Sequence, residues 1–288
     1  MIPREVLDSY LFTFVGASRL WSINPYRHCE FNCTYCITKT QGDSEPFYSL
    51  EETVATVESV LPYVPPDIPL ILGGYTDPYP QTEERLGITR AVLEMLYYYG
   101  RPISICSKGT LMGRDTDILF GQERGTVSFS FSSLDNELSK PYEPGTPHTE
   151  ERLALLHKFV ELGIDTRVSL QPWIPGVTDI QEMVDATPDN VLVTVDRLKI
   201  VKDNRRFKIG DRMYDQATID ALFMIEMEKF EDNPRVQFNV DPRYLARREN
   251  DGHPYYDALV EQQHHLDNLL HTGRIYADPI ELIPAYEW

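Results

Sequence analysis

The segment Val127-Ser-Phe-Ser-Phe-Ser132 constrains the fold more than any other stretch of the chain. Alternate side chains of an extended strand face opposite ways, so Val127, Phe129 and Phe131 share one face and Ser128, Ser130 and Ser132 the other. Two more segments repeat the pattern: Ser104, Cys106 and Lys108 oppose Ile103 and Ile105, and Arg167, Ser169 and Gln171 oppose Val168 and Leu170. Parallel strands packed on both faces read as near-continuous apolar runs, and these do not. Strand-like stretches alternate with helix-like ones, the pattern of a parallel sheet with crossover helices. An oily face beneath helices and a polar face turned inward describe an open barrel with room for a polar ligand, whereas a closed eight-stranded barrel fills its interior with side chains. A half-exposed antiparallel sheet shows the same alternation. The expected fold is α/β: a partial (β/α)6 TIM-type barrel with a C-terminal, mainly helical extension. Residues 1–195 would form the barrel core, and 196–288 would complete or cap its mouth and contribute to the substrate site.

Local signals place the elements. Strands are expected near Leu20–Ile23, Ile68–Leu72, Ile103–Ser107, Val127–Ser132, Thr166–Gln171, Val191–Val195 and Arg235–Asp241. Helices are expected at Leu50–Tyr63, with Ser49 and Glu52 as a capping box, and at Glu83–Tyr99 between Thr82 and Gly100. A third runs over Thr149–Leu162 and is closed by Gly163, and the chain after Asp215 reads as helical. The 288 residues, 42% of them hydrophobic, suffice for one barrel. No apolar run approaches the roughly 18 residues that span a bilayer, and Met1-Ile2-Pro3-Arg4-Glu5 lacks the apolar stretch of a signal peptide. The expected location is the cytoplasm, with no membrane partner, and four cysteines, three of them clustered, suit a reducing compartment.

The formal charge of −18 disfavours a surface with general affinity for nucleic acid, since phosphate binding draws on Lys and Arg. Its distribution is uneven. Arg197, Lys199, Lys202, Arg205, Arg206, Lys208 and Arg212 stand against only Asp203 and Asp211, and Arg243, Arg247 and Arg248 extend the basic character. The Arg197–Arg212 segment is either a solvated loop or a groove for the phosphates of a nucleic acid or nucleotide.

Chemistry concentrates in Cys29-Glu-Phe-Asn-Cys33-Thr-Tyr-Cys36. Three thiols at C-x3-C-x2-C spacing can hold an iron-sulfur cluster and leave one iron without a protein ligand. Electron-transfer clusters take four cysteines, and an open metal position is generally a reactive one. His28 or His148 could instead complete a zinc site, although the spacing departs from zinc patterns. Gly73-Gly74-Tyr75-Thr76-Asp77 would follow the second parallel strand, at the C-terminal end where barrel enzymes gather function. The paired glycines there allow close backbone approach to a ligand, and Asp77 supplies a carboxylate.

The cysteine triplet with Tyr35, the lead-in Asn24-Pro25-Tyr26-Arg27 and Gly73–Tyr79 together resemble the radical S-adenosylmethionine (SAM) superfamily. Ser107-Lys108, Arg114-Asp115, the Ser128–Ser132 strand, Glu143-Pro144, Glu151-Arg152-Leu153 and Ile174-Pro175-Gly176 narrow the resemblance to its spore photoproduct lyase-like group. The resemblance implies a [4Fe-4S] cluster on Cys29, Cys33 and Cys36, with SAM chelating the open iron. It also implies reductive cleavage of SAM to a 5'-deoxyadenosyl radical that abstracts hydrogen from a substrate, and a reductant such as flavodoxin or ferredoxin. By the same resemblance SAM would meet Tyr35, Gly73, Gly74, Thr76, Asp77, Lys108, Ser130, Arg167 and Ile174. The lyase proper has a hydrogen-donating cysteine where this chain reads Gly73-Gly74-Tyr75, and a tyrosine where Ile37 follows the last cysteine, so repair of the spore lesion itself is not expected. Cys106 is a candidate hydrogen donor or a buried core thiol, and Tyr75 a candidate for radical relay or substrate stacking. The expected substrate is a nucleobase or nucleic acid. The alternatives are a small molecule or peptide in a biosynthetic pathway, and a non-catalytic iron-sulfur sensor. His253, His264, His265 and His271 in the C-terminal third read as solvated helix residues or a second metal site.

Overall fold

A computed structural model describes residues 11–15, 20–36, 38, 45–120, 125–200 and 206–239. One eight-stranded sheet organises them, in the order β1 (Phe12–Val15), β2 (Leu20–Ile23), β3 (Leu70–Leu72), β4 (Ile103–Ser107), β5 (Thr126–Phe131), β6 (Thr166–Trp173), β7 (Leu192–Arg197) and β10 (Val236–Phe238). Every neighbouring pair from β2 to β10 is parallel. Only β1, antiparallel to β2, departs; the sequence reading did not anticipate it. Its Phe12 stacks on Trp21 with ring centroids 5.0 Å apart. Among the described residues β1 and β10 are not paired with each other, so the barrel is open.

The two-faced strands behave as their alternation demands. Val127, Phe129 and Phe131 are buried beneath the outer helices, and Phe129 meets Phe159 of helix Thr149–Glu161 edge-on at 5.3 Å. Each such apolar side chain contributes roughly 1.5–3 kcal/mol by leaving water. On the opposite face, register aligns Cys106 with Ser128, Ser128 with Arg167, and Ser130 with Ser169 and then Thr194. This row of hydroxyls, thiol and guanidinium forms the lumen.

Helix Leu50–Val60 begins as expected: Ser49 Oγ accepts from Glu52 N (3.2 Å), and Ser49 N donates back to the Glu52 carboxylate (3.1 Å). The expected continuous helix over Glu83–Tyr99 is instead two, Glu83–Leu86 and Ile88–Tyr98, divided at Gly87. Gly87 has φ 66°, a left-handed conformation that ends a helix at little cost for glycine. The Glu83 carboxylate then accepts from Thr89 N (2.9 Å) and Arg90 N (3.2 Å) and so caps the second piece. Thr82, expected as the cap, donates its hydroxyl to Glu30 instead.

After β7 a small antiparallel hairpin, β8 (Phe207–Ile209) and β9 (Arg212–Tyr214), precedes helix Gln216–Lys229 and β10. Ile209 and Ile219 join Tyr142, Ile174, Val177 and Leu198 in a second hydrophobic cluster, against which Tyr35 also packs. Gly210 N donates to Tyr142 Oη (3.1 Å). Residues 206–219 therefore sit over the C-terminal ends of the strands, next to the cysteine loop. Among the described residues no helix is long and apolar enough to cross a membrane. Ile37, Lys202, Arg205, Arg243, Arg247, Arg248 and the four C-terminal histidines lie outside the described residues.

Candidate active site

The cysteine loop leaves β2 at the C-terminal end of the sheet and is held from both sides. On one side Thr76 Oγ1 donates to Tyr26 O (2.8 Å), Thr82 N to the Glu30 carboxylate (3.2 Å), and Tyr26 Oη to the fully buried Glu83. On the other side Thr34 N donates to Tyr142 O (2.9 Å) and Gly145 N to Phe31 O (3.1 Å). Asn32, between the first two cysteines, takes φ 49°, which asparagine tolerates better than most residues.

Cys29, Cys33 and Cys36 are half-buried free thiols. Burial pushes the Cys29 and Cys33 thiols up to about 12. The Asp77 charge at Cys29 and the Glu143 charge at Cys33 add to this push; opposing it, backbone N–H groups of Phe31 and Asp77 act on Cys29 and the Lys108 charge acts on Cys33. Cys36 Sγ lies 2.9 Å from Thr38 Oγ1. Among the described residues no three His, Cys, Asp or Glu side chains are gathered tightly enough to hold a metal ion. The donor set fits a three-thiolate cluster site by its chemistry: three thiols on one loop, with backbone N–H donors beside Cys29 and the Lys108 cation beside Cys33 to meet the charge a bound cluster would bring.

Lys108, just past β4, enters this neighbourhood 8% exposed. Its ammonium donates to Ser130 Oγ and lies 3.5 Å from Glu143 Oε1. Tyr35 Oη donates to the same Glu143 oxygen, and the other oxygen faces Arg152 at 3.5 Å. Burial alone would raise the Glu143 carboxyl, but Lys108, Arg152 and the Tyr35 hydroxyl together hold it below the usual carboxylate range. Tyr35, Lys108 and Ser130 thus meet through contacts that sequence reasoning named only as separate residues. Glu143, which joins them, was quoted in the sequence only as part of a motif. It lies in a loop without periodicity, so the one signal for it was an acidic residue beside a Pro-Gly turn.

Other predicted residues are engaged by the protein itself. Asp77 accepts from Ser107 Oγ (2.6 Å), Lys108 N (2.8 Å) and Tyr79 N (2.9 Å), and so ties the loop after β3 to the end of β4. Burial pushes its carboxyl up against these donors. Gly73 has φ 98°, and a Cβ there would stand 2.2 Å from Cys106 O; its missing side chain admits the neighbouring strand. Gly74 is exposed and donates its N–H to Ser22 Oγ (3.2 Å), while half-buried Tyr75 donates its N–H to Asn24 Oδ1 (3.0 Å). Arg167 is not gathered with the rest: it lies near the start of β6 and pairs with Asp165 at 3.3 Å. Ile174 is fully buried in the cluster that Tyr35 packs against. Cys106 faces the lumen near Ser169, Lys108 and Asp77, and burial pushes its thiol up, which keeps the hydrogen on sulfur.

An open, mostly parallel α/β barrel with a three-cysteine loop and a buried lysine at the C-terminal strand ends places the protein among barrels whose site lies at that end. The Radical SAM superfamily model matches residues 23–187, and the chain belongs to that superfamily. An uncharacterized protein of Mycobacterium tuberculosis is 30% identical over 179 residues, 57% of this chain and 53% of that protein. One of Methanocaldococcus jannaschii is 24% identical over 173 residues, 57% of this chain and 64% of its own length. The matched region thus spans little more than half of the mycobacterial relative and under two thirds of the archaeal one. Among solved structures, spore photoproduct lyase complexed with dinucleoside spore photoproduct superposes with a TM-score of 0.59 at 15% identity, covering 80% of this chain and 78% of that one. Streptococcus suis SuiB bound to S-adenosylmethionine gives 0.56 at 16%, covering 75% and 49%. These likenesses establish the fold.

Proposed function

We propose that this chain is an enzyme that holds a [4Fe-4S] cluster on Cys29, Cys33 and Cys36, binds SAM beside it and abstracts hydrogen from a substrate in the polar lumen. The observation that carries this reading is the meeting of Cys33, Tyr35, Lys108 and Ser130 at one end of the barrel. When bound and reduced by a flavodoxin- or ferredoxin-type partner, the cluster and SAM supply a 5'-deoxyadenosyl radical. The chain's own residues do the rest. Lys108 and Ser130 offer a cation and a hydroxyl to a carboxylate, a charge-assisted pairing. Tyr35, half-buried against the apolar cluster that Ile174 backs from within, gives a planar base something to pack on. The hydroxyls of Ser128, Ser169 and Thr194 orient a polar substrate, and the cover supplied by residues 206–219 excludes water, which a carbon radical requires. Cys106, a protonated thiol facing the lumen, is the candidate hydrogen donor, and Tyr75 a candidate contact to substrate.

For the substrate, a nucleobase or nucleotide is supported by the likeness to a lyase complexed with a dinucleoside and by exposed Arg206, Lys208 and Arg212 on the hairpin at the barrel mouth. A small molecule or peptide is supported by the pairing of Arg197 with Asp220 (2.6 Å) and Lys199 with Asp196 (2.7 Å), which neutralises part of the basic segment. We further assign 1–195 as the barrel core and 196–288 as the region that completes the barrel, with β10 beside β7, caps its mouth and contributes to the substrate site. Anaerobic reconstitution with iron, sulfide, dithionite and SAM tests the activity. 5'-Deoxyadenosine is the expected product, and its absence from a preparation with an intact cluster contradicts the reading. Oligonucleotide binding that weakens with salt supports the nucleic-acid substrate, and no binding at low salt removes it.

A further inference from the structure

The segment between helices Asn136–Ser139 and Thr149–Glu161 presses directly on the cysteine loop. Its two backbone anchors, Tyr142 O to Thr34 N and Gly145 N to Phe31 O, flank Glu143. A Cβ on Gly145 would stand 2.5 Å from Glu30 O and 2.8 Å from Phe31 Cα. The φ of Gly145 is not in the left-handed region, so glycine is needed there for space: the two backbones touch. Glu143 itself is fully buried. A carboxylate so placed is retained only with opposite charges and donors around it, and this one takes the Tyr35 hydroxyl, Lys108 and Arg152. Arg152, 1% exposed, is locked in turn: it donates to Ser130 O (2.7 Å) and lies 4.8 Å over the Phe131 ring. One carboxylate therefore joins the loop that carries the thiols to the strand pair that carries Lys108 and Ser130.

We propose that Glu143 is the positioning residue of the cysteine loop. It sets where Tyr35, and with it the Cys33–Cys36 turn, stands relative to Lys108, and Tyr142–Gly145 is its backbone frame. It is fully buried and acts through Tyr35 and Lys108. The inference rests on the reading of the three cysteines as cluster ligands, and its test reads metal uptake and spectra, not turnover.

Wild type, E143A, E143Q and G145A are reconstituted anaerobically with ferrous iron and sulfide. Iron and sulfide per chain, the EPR spectrum of the reduced cluster and the Tm are then compared. E143A and G145A are expected to load less than half the wild-type iron or to give shifted g-values. E143Q, whose amide oxygen still accepts from Tyr35, is expected to recover loading relative to E143A. Equal iron content and superimposable spectra in E143A and wild type overturn the proposal. If E143A does not fold, Y35F replaces it, since it removes one hydrogen bond and leaves the ion pairs; wild-type loading and an unchanged spectrum in Y35F overturn the proposal equally. A wild-type protein that takes up no iron overturns the cluster reading and this inference together. A loaded wild type beside equally loaded variants removes the role of Glu143 alone.

Discussion

Lys108 carries a charge into a nearly closed space, and its neighbours decide what that charge does. Ser130 and Glu143 hold the ammonium at the lumen edge, where a ligand carboxylate would gain a charge-assisted bond worth about 1.5–3 kcal/mol. Lys108→Met is accordingly expected to weaken SAM binding about ten- to hundredfold, measured by equilibrium dialysis on the reconstituted protein; wild-type affinity would exclude Lys108 from the contact. Gly73 makes a contrasting case. Gly73→Ala combines a left-handed φ with a Cβ driven into Cys106 O, and is expected to cost about 1–3 kcal/mol or more in urea unfolding. An unchanged midpoint would show that the loop after β3 can move away from β4. Both residues were visible in the sequence, but only their positions could be read there. That Asp77 and Gly73 serve strand-to-strand contacts depends on β4 lying beside β3, a pairing that no local pattern encodes. Arg167 shows a different limit: alternation put it on the lumen face, but as the second residue of β6 it lies at the end of the strand away from the cysteine loop and pairs with Asp165.

Elements were legible where local chemistry specifies them. The Ser49–Glu52 capping box needs only four residues and forms as expected; Ser49→Ala should lower stability by about 0.5–2 kcal/mol, read from thermal melts. Helix Thr149–Glu161 ends near Gly163, where φ is 76°, and buries Leu156 and Phe159 completely. Leu156→Ala should cost about 2–5 kcal/mol, and a smaller loss would mean that the helix collapses onto the space left behind. Helix Gln216–Lys229 is capped by Asp215, which accepts from Thr218 N (2.9 Å) and Thr218 Oγ1 (2.7 Å). Those bonds depress the Asp215 carboxyl. A depressed folded value means that the cap's contribution is complete above the ordinary carboxylate pKa of about 3.9 and is lost as pH falls through the folded value. An NMR titration of Asp215 with a midpoint at or above the ordinary value would contradict this. The break at Gly87 was not legible, because apolar spacing runs through it; the reason for it, Glu83 turned inward to Tyr26 and Arg114, is tertiary.

Across the whole molecule, the polar and apolar faces of β4, β5 and β6 pointed to an open barrel only in combination with the alternation of strands and helices, since a half-exposed antiparallel sheet carries the same two-faced pattern. The antiparallel edge strand β1 and the hairpin over the barrel mouth were not anticipated. Short strands at a sheet edge carry little periodicity, and β8 and β9 have only three residues each. What the assembled molecule adds to the sequence is convergence: the loop after β2, the ends of β4 and β5 and the Tyr142–Gly145 segment meet at one carboxylate. The proposed site is one in which three thiols hold a cluster with one iron left open to SAM. EPR of the reduced protein with and without SAM, on wild type and on single alanine variants of all four cysteines, tests it most directly. The variants at Cys29, Cys33 and Cys36 are each expected to lose the cluster, whereas C106A keeps it and shows the same SAM-induced spectral shift as wild type. A cluster lost in C106A, together with a wild-type spectrum unmoved by SAM, would rule out a three-thiolate site with an iron open to SAM.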